Sequence, residues 1–396
     1  MPGFRFMSWL IVLVLGLSAP WVAAEEAPLN KLTAAEVADG WILLFDGETF
    51  FGWRKANEAD WKITNGVISV GEGEQGLLHT SAQFSDYLLR VDFRAAAGTN
   101  SGIFLRTSPK PKDPKADCYE LNIAPADNPF PTGSFVGRKK VEGEFQSADW
   151  QTFEVKAVGA KIEVQLNGKP ILSYDDPAPL GRGYIGLQLN KGKVEFRNVK
   201  LKPLSLPAIL NGKDLSGWKA TPGSKCETSV SPSGELKLLG GKGALEYEKP
   251  LADFVLQMEC FVHKPGLNSG LFFRSIPGQE MNGYESQIHN GFKEGDRTKP
   301  VDCGTGGIFR RVDARRVVGD DNAWVHKTLV ADGAHFAVWV NGYQVTDWTD
   351  LRKDDPNPRK GRRLTAGTLQ LQGHDPTSEV SFRNFRGAEL GARKGM

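Results

Sequence analysis

The chain repeats itself. "LFDGETFFGW" (Leu44 to Trp53) recurs as "ILNGKDLSGW" (Ile209 to Trp218), and "NSGIFLR" (Asn100 to Arg106) recurs as "NSGLFFR" (Asn268 to Arg274), an offset of 168 residues. "YELNI" (Tyr119 to Ile123) answers "YESQI" (Tyr284 to Ile288), Trp150 answers Trp324, Asn167-Gly168 answers Asn341-Gly342, and "EFRNV" (Glu195 to Val199) answers "SFRNF" (Ser381 to Phe385). Six blocks in one order require a duplicated unit, and 396 residues then divide into two domains of ordinary size. The offset is 165 at Tyr119/Tyr284, 174 at the tryptophans and 186 at the final phenylalanines, so the second copy carries longer loops. They fall around Gly291 to Val301 and Asp350 to Arg363, polar stretches that belong at the surface.

Between the blocks the dominant period is two: "YLLRVDFRA" from Tyr87, "KIEVQLNG" from Lys161, "FVLQMECFV" from Phe254 and "HFAVWVNG" from His335. Such alternation predicts half-buried strands. Asn65-Gly66, Asn167-Gly168 and Asn341-Gly342 follow these runs and predict hairpin turns, because both central residues of a type I′ turn need positive φ. Each copy is therefore expected to be an antiparallel β-sandwich, and the chain all-β. The exception is a short helix over Thr33 to Ala38, where Thr33 and Glu36 form a capping-box pattern. The expected organisation is a cleaved signal peptide at 1–24, a lead-in at 25–40, a first domain at 41–203, a proline-bounded linker at 204–208 and a second domain at 209–390. The signal is read from Arg5, the apolar run Trp9 to Leu17 and the small residues before Glu25. It predicts a periplasmic or extracellular protein with no membrane span after cleavage.

Forty-nine basic against forty-seven acidic residues leave a formal charge of +2, with no block of one sign, which gives no electrostatic basis for a nucleic-acid partner. Export would permit disulfides among Cys118, Cys226, Cys260 and Cys303. A Cys226–Cys260 bridge would staple the second copy, but sequence cannot choose among the three pairings. With no C-x-x-C and no histidine cluster, a zinc site is disfavoured. No cofactor is expected. Asp296, Asp302, Asp320 and Asp321 are loop acids of the kind that ligate calcium, and a divalent cation is left open. The oligomeric state is not set.

The ordered set "LF(D/N)G…GW", "NSG(I/L)F(L/F)R", "YE-x-(N/Q)-I", "LNG/VNG", "LQLQGHD" and "FRN" resembles the 3-keto-disaccharide hydrolase domain family, once per copy, over nearly the whole chain after the signal. The resemblance implies a concanavalin-A-like jelly roll with a concave face for sugars, and activity on glycosides already oxidised at C3. A C3 ketone acidifies the C2 proton, so one base can abstract it, the C1 substituent leaves by elimination, and water adds. That route needs one base and donors at the C3 oxygen. It does not need the paired carboxylates of conventional glycosidases, and the chain lacks the E-x-D-x-x-E motif that carries such a pair.

Alternation along Tyr284 to His289 puts Glu285, Gln287 and His289 on one face. The resemblance places Arg274, Gln372 and His374 on the same face. The expected roles are Glu285 as base, Arg274 with His289 or His374 as donors to the enolate oxygen, and Gln287, Gln372 and Asn268 as hydroxyl contacts. The plainer alternatives are an ion pair of Glu285 with Arg274, a turn role for His374 and for Asn268-Ser269-Gly270, and core packing for Trp53, Trp150, Trp218 and Trp324. The first copy keeps Arg106, Glu120 and Gln188 as ligand contacts, but has Ala124 and Asn190 where the second has histidines. The second copy is thus expected to be catalytic and the first a binding or structural partner. A non-catalytic carbohydrate-binding protein or a surface scaffold is the competing expectation.

Overall fold

A computed structural model of the chain describes Gly3 and residues 28–392, so the expected signal peptide and its cleavage point lie, Gly3 apart, outside the described residues. The described chain is all-β, with a single five-residue helix, Ala34–Ala38, closed by the Thr33/Glu36 capping box. No helix among the described residues is long and apolar enough to cross a membrane.

Each copy is a sandwich of two antiparallel sheets. In the first, a five-stranded sheet runs in the order Trp53–Lys55, Gly76–Thr80, Tyr184–Leu189, Ser101–Thr107, Tyr119–Ile123, and packs on an eight-stranded sheet. In the second, Trp218–Ala220, Gly243–Leu251, Gly367–Gly373, Ser269–Ser275 and Tyr284–Ile288 repeat that order, facing a seven-stranded sheet. The three Asn-Gly turns form as the sequence predicts, with φ of 52° and 75°, 50° and 75°, and 47° and 76°.

In the large sheets the alternation is simple: along Tyr87–Ala95 every second residue is buried and the others are half-buried. Every residue of Ser269–Ser275, Tyr284–Ile288 and Gly367–Gly373 is buried, which means that loops cover the outer face of the second copy's small sheet. The corresponding face of the first copy is more open, with Glu120 and Gln188 half-buried.

The two sandwiches share packing. Val255, Val330, Ala337 and Trp339 of the second copy join the first copy's core cluster, and the Trp339 indole donates to the Leu43 carbonyl at 2.8 Å. Arg315 reaches Asp46 at 2.9 Å and lies over the Phe51 and Tyr343 rings. Trp53 and Trp218 are core residues, each donating to a backbone carbonyl nine residues earlier. Trp150 and Trp324 lie on the large sheets beneath arginines, at 4.0 Å from Arg197 and 3.9 Å from Arg383. None of the four presents a free ring as a sugar platform. All four cysteines are free thiols, so the Cys226–Cys260 pairing considered above is not formed.

Candidate functional site

Antiparallel register assembles the site from four strands. Gln287 pairs with Gly270 and Glu285 with Phe272, while Gln370 pairs with Phe272 and with Glu246, and Gln372 with Ala244. Two transverse rows therefore share the outer face: Ala244, Gln372, Gly270, Gln287 and Glu246, Gln370, Phe272, Glu285. The intervening residues Leu245, Leu271, Phe273, Tyr284, Leu369 and Leu371 turn inward to the core. Gly270 is required where it stands, because a Cβ there would come within 2.7 Å of Glu285 Oε1. The Glu285 carboxylate lies over that bare backbone.

Glu285 is 3 % exposed and accepts from Arg359 at 2.8 Å. Burial pushes its carboxyl above the ordinary range, Asp302 adds to that rise, and Arg359 and Lys327 pull part of it back. Arg359 comes from the longer loop at 350–363, donates to the Met281 carbonyl at 2.7 Å and lies 5.0 Å over the Phe272 ring. Asp302 accepts from the side-chain amides of Gln287, at 2.8 Å, and Asn268. Glu246 accepts from Thr368 at 2.6 Å and from the Gln370 amide at 3.1 Å. The two carboxylates thus fix which end of each amide points away. The carbonyl oxygens Asn268 Oδ1, Gln287 Oε1 and Gln370 Oε1, with Gln372 Oε1, are buried without a hydrogen-bond donor. Four acceptors on one face, three of them oriented by carboxylates, suit a ligand rich in hydroxyl donors.

His289 is buried, and its Nδ1 accepts from the Gly291 amide at 3.1 Å, which leaves Nε2 as the protonated donor. His374 sits outside the constellation, with its side chain 44 % exposed and Nδ1 on Asp375 at 2.9 Å, in a turn closed by Ser378. The structure places His374 at the start of a turn.

Arg274 is also not where the resemblance put it. A β-bulge interrupts the register between Phe272 and Ser275, and Arg274 takes φ +48°. The bulge carries its side chain to the interior end of the sandwich. There the fully buried guanidinium donates to the carbonyls of Ala252 (2.8 Å), Gly333 (2.6 Å) and Arg363 (2.8 Å) and to Asp253 (3.0 Å). Arg106 repeats the device in the first copy at φ +47°, on Ser85, Gly159 and Asp86. Both arginines of the repeated motif staple sheet to sheet, and neither touches the outer face. The cation beside Glu285 is Arg359 instead. Its only sequence signal was the extra loop of the second copy. Gln370 was legible in part, since it shares the alternation of Gln372, whereas Glu246 lies in no repeated block and carried no signal.

On the first copy, Ala56, Leu77, Phe104 and Cys118 floor a cavity of about 380 Å³ that Glu120, Gln188, Asn190, Lys110 and Lys112 also line. Burial pushes the Glu120 carboxyl up to about 7, with only the Gln188 side chain acting the other way. A raised acid means that the folded state holds a proton the unfolded chain releases near pH 4.5, so stability falls as pH rises from there to about 7 and is level above. Glu120→Gln is expected to flatten that slope. Melting temperatures of wild type and variant between pH 5 and pH 8 should diverge toward acid, where wild type gains and the variant does not.

Among the described residues, no group of three or more His, Cys, Asp or Glu side chains is placed to hold a metal ion. A family model described as a 3-keto-alpha-glucoside-1,2-lyase-like domain matches residues 40–202 and again 207–386. The chain belongs to that family. Membership places this member among glycoside hydrolase-like proteins. A 3-keto-disaccharide hydrolase of Bacteroides thetaiotaomicron is 32% identical over 92 residues, which are 20% of this chain and 32% of the relative, so the match spans about a third of the relative's length. Among solved structures, a candidate glycosyl hydrolase of Parabacteroides distasonis is 24% identical, with a TM-score of 0.41, over 45% of this chain and 100% of that one. A carbohydrate-binding module, CBM66 of Bacillus subtilis, is 18% identical, with a TM-score of 0.32, over 38% of this chain and 95% of its own.

Proposed function

We propose that the protein is an exported enzyme that cleaves 3-keto-glycosides on the outer face of the second copy's five-stranded sheet. Glu285 abstracts the C2 proton. Arg359 faces the oxygen on which negative charge develops, and the C1 substituent leaves by elimination before water adds across the C1–C2 double bond. Net hydrolysis results. The observation that carries this reading is the set of four buried, donor-free carbonyl oxygens around Glu285, three of them held in orientation by Asp302 and Glu246. They match sugar hydroxyls. Two further features support a single base. Glu246 and Glu285 stand on strands three steps apart, roughly 14 Å between backbones at the usual spacing, and Glu246 is engaged by Thr368 and Gln370. Asp302 is engaged by two amides.

The test is the mass of a 3-keto-disaccharide incubated with purified protein, beside its unoxidised parent. Cleavage of the oxidised sugar alone is expected. Saturable binding without cleavage would favour the carbohydrate-binding reading. One observation favours a second location for turnover: Glu120 lines a cavity of about 380 Å³, and burial pushes its carboxyl up to about 7.

A further inference from the structure

The second sandwich buries a lysine in its core. Lys327, on Trp324–Asp332, is 2 % exposed, and its ammonium donates to the backbone carbonyls of Ser286 at 2.7 Å and Gln287 at 2.9 Å. These carbonyls belong to the strand that carries Glu285 and Gln287 on its opposite face. Equivalent register positions in the first copy are hydrocarbon: Phe153 stands where Lys327 does and Phe93 where Cys260 does, stacked at 4.6 Å. The duplicated domain thus holds two solutions to one core position. In one copy it is a stacked phenylalanine pair, in the other an ammonium beside a thiol.

An ammonium in an apolar core is costly, and hydrocarbon of the same volume is commonly as stable or more so. Stability therefore gives no reason for Lys327, and the first copy demonstrates the alternative.

We infer that Lys327 is a positioning residue for the site above it: it pins the Ser286–Gln287 backbone and supplies a buried positive charge that favours the ionised form of Glu285. This rests on the proposed role of Glu285. The groups facing Lys327 are Cys260 on its neighbouring strand, Cys303 on the loop that also carries Asp302, and Glu285. The charged groups acting on Glu285 are Arg359, Asp302 and Lys327. Burial lowers the Lys327 pKa to about 8, so the charge is present at and below neutral pH. Of the two cations at Glu285, Arg359 is 22 % exposed and Lys327 is sealed in, where screening by salt is weakest.

The test uses the full-length protein and two variants, Lys327→Met and the pair Cys260→Phe with Lys327→Phe. The pair rebuilds the first copy's stacked rings and keeps the core filled should the single change fail to fold. The first readout needs no turnover: the pH titration of the Glu285 carboxyl carbon by NMR, assigned by its loss in Glu285→Gln. Removing the ammonium is expected to raise the midpoint by at least about half a pH unit. The second readout is kinetic, with kcat on a 3-keto-disaccharide falling below the midpoint in step with the ionised fraction, about threefold for half a pH unit, and KM holding within about twofold. An unchanged midpoint in a folded variant overturns the inference. A raised midpoint in a protein that cleaves no oxidised sugar sustains the inference about charge and removes the catalytic role of Glu285.

Discussion

Arg274→Ala is expected to destabilise the second sandwich by about 3–5 kcal/mol, the cost of removing one member of a buried ion pair. The loss is severe because the carbonyls of Ala252, Gly333 and Arg363 depend on one guanidinium and become buried acceptors without that donor, while Asp253 keeps Arg182 and the Gly333 amide. Arg274→Lys should rescue little, since a single ammonium cannot reach acceptors spread over Ala252, Gly333 and Arg363. Denaturant unfolding followed by tryptophan fluorescence reads the effect. A variant that folds with wild-type stability and loses only turnover would return Arg274 to the catalytic role that the structure denies it. Arg106→Ala should act likewise in the first copy.

Glu285→Gln is expected to lower kcat on a 3-keto-disaccharide by about 10²–10⁴-fold, the span of a general base, with KM nearly unchanged. The amide keeps the shape over Gly270 and can still accept from Arg359, so the loss is of basicity and not of packing. The pH profile carries a sign. Burial raises the Glu285 pKa above its ordinary 4.5, and only the ionised form can take a proton. Turnover by wild type should therefore climb through a midpoint above pH 4.5 as pH rises. Glu120→Gln in the same assay separates the two copies: if turnover collapses there and survives in Glu285→Gln, the chemistry belongs to the first copy's cavity.

How much was legible follows from which physical signals are local. Alternation and Asn-Gly turns depend on neighbours in sequence, and the strands and hairpins read from them appear in the structure. The face carrying Glu285 and Gln287 also follows from period two, and Gln372 lies on it as the resemblance implied. Arg274, which the resemblance put on the site face, lies elsewhere because a bulge at positive φ turns its side chain inward, and a motif match carries no signal of a bulge. Arg359 could not be assigned because it reaches the site from a loop 74 residues from Glu285, and loop paths carry no periodicity. The division of labour inferred from lost histidines has also weakened. His374 lies in an exposed turn, and the first copy, lacking both histidines, carries a cavity with a raised carboxyl.

The most direct test of the account is a crystal structure of the Glu285→Gln variant with a 3-keto-disaccharide bound. The account predicts sugar density over Gly270, with C2 facing residue 285, the C3 oxygen toward Arg359 and hydroxyls on the carbonyl oxygens of Gln287, Gln370 and Gln372. Density confined to the cavity beside Glu120, with the face around Gly270 empty, would contradict it.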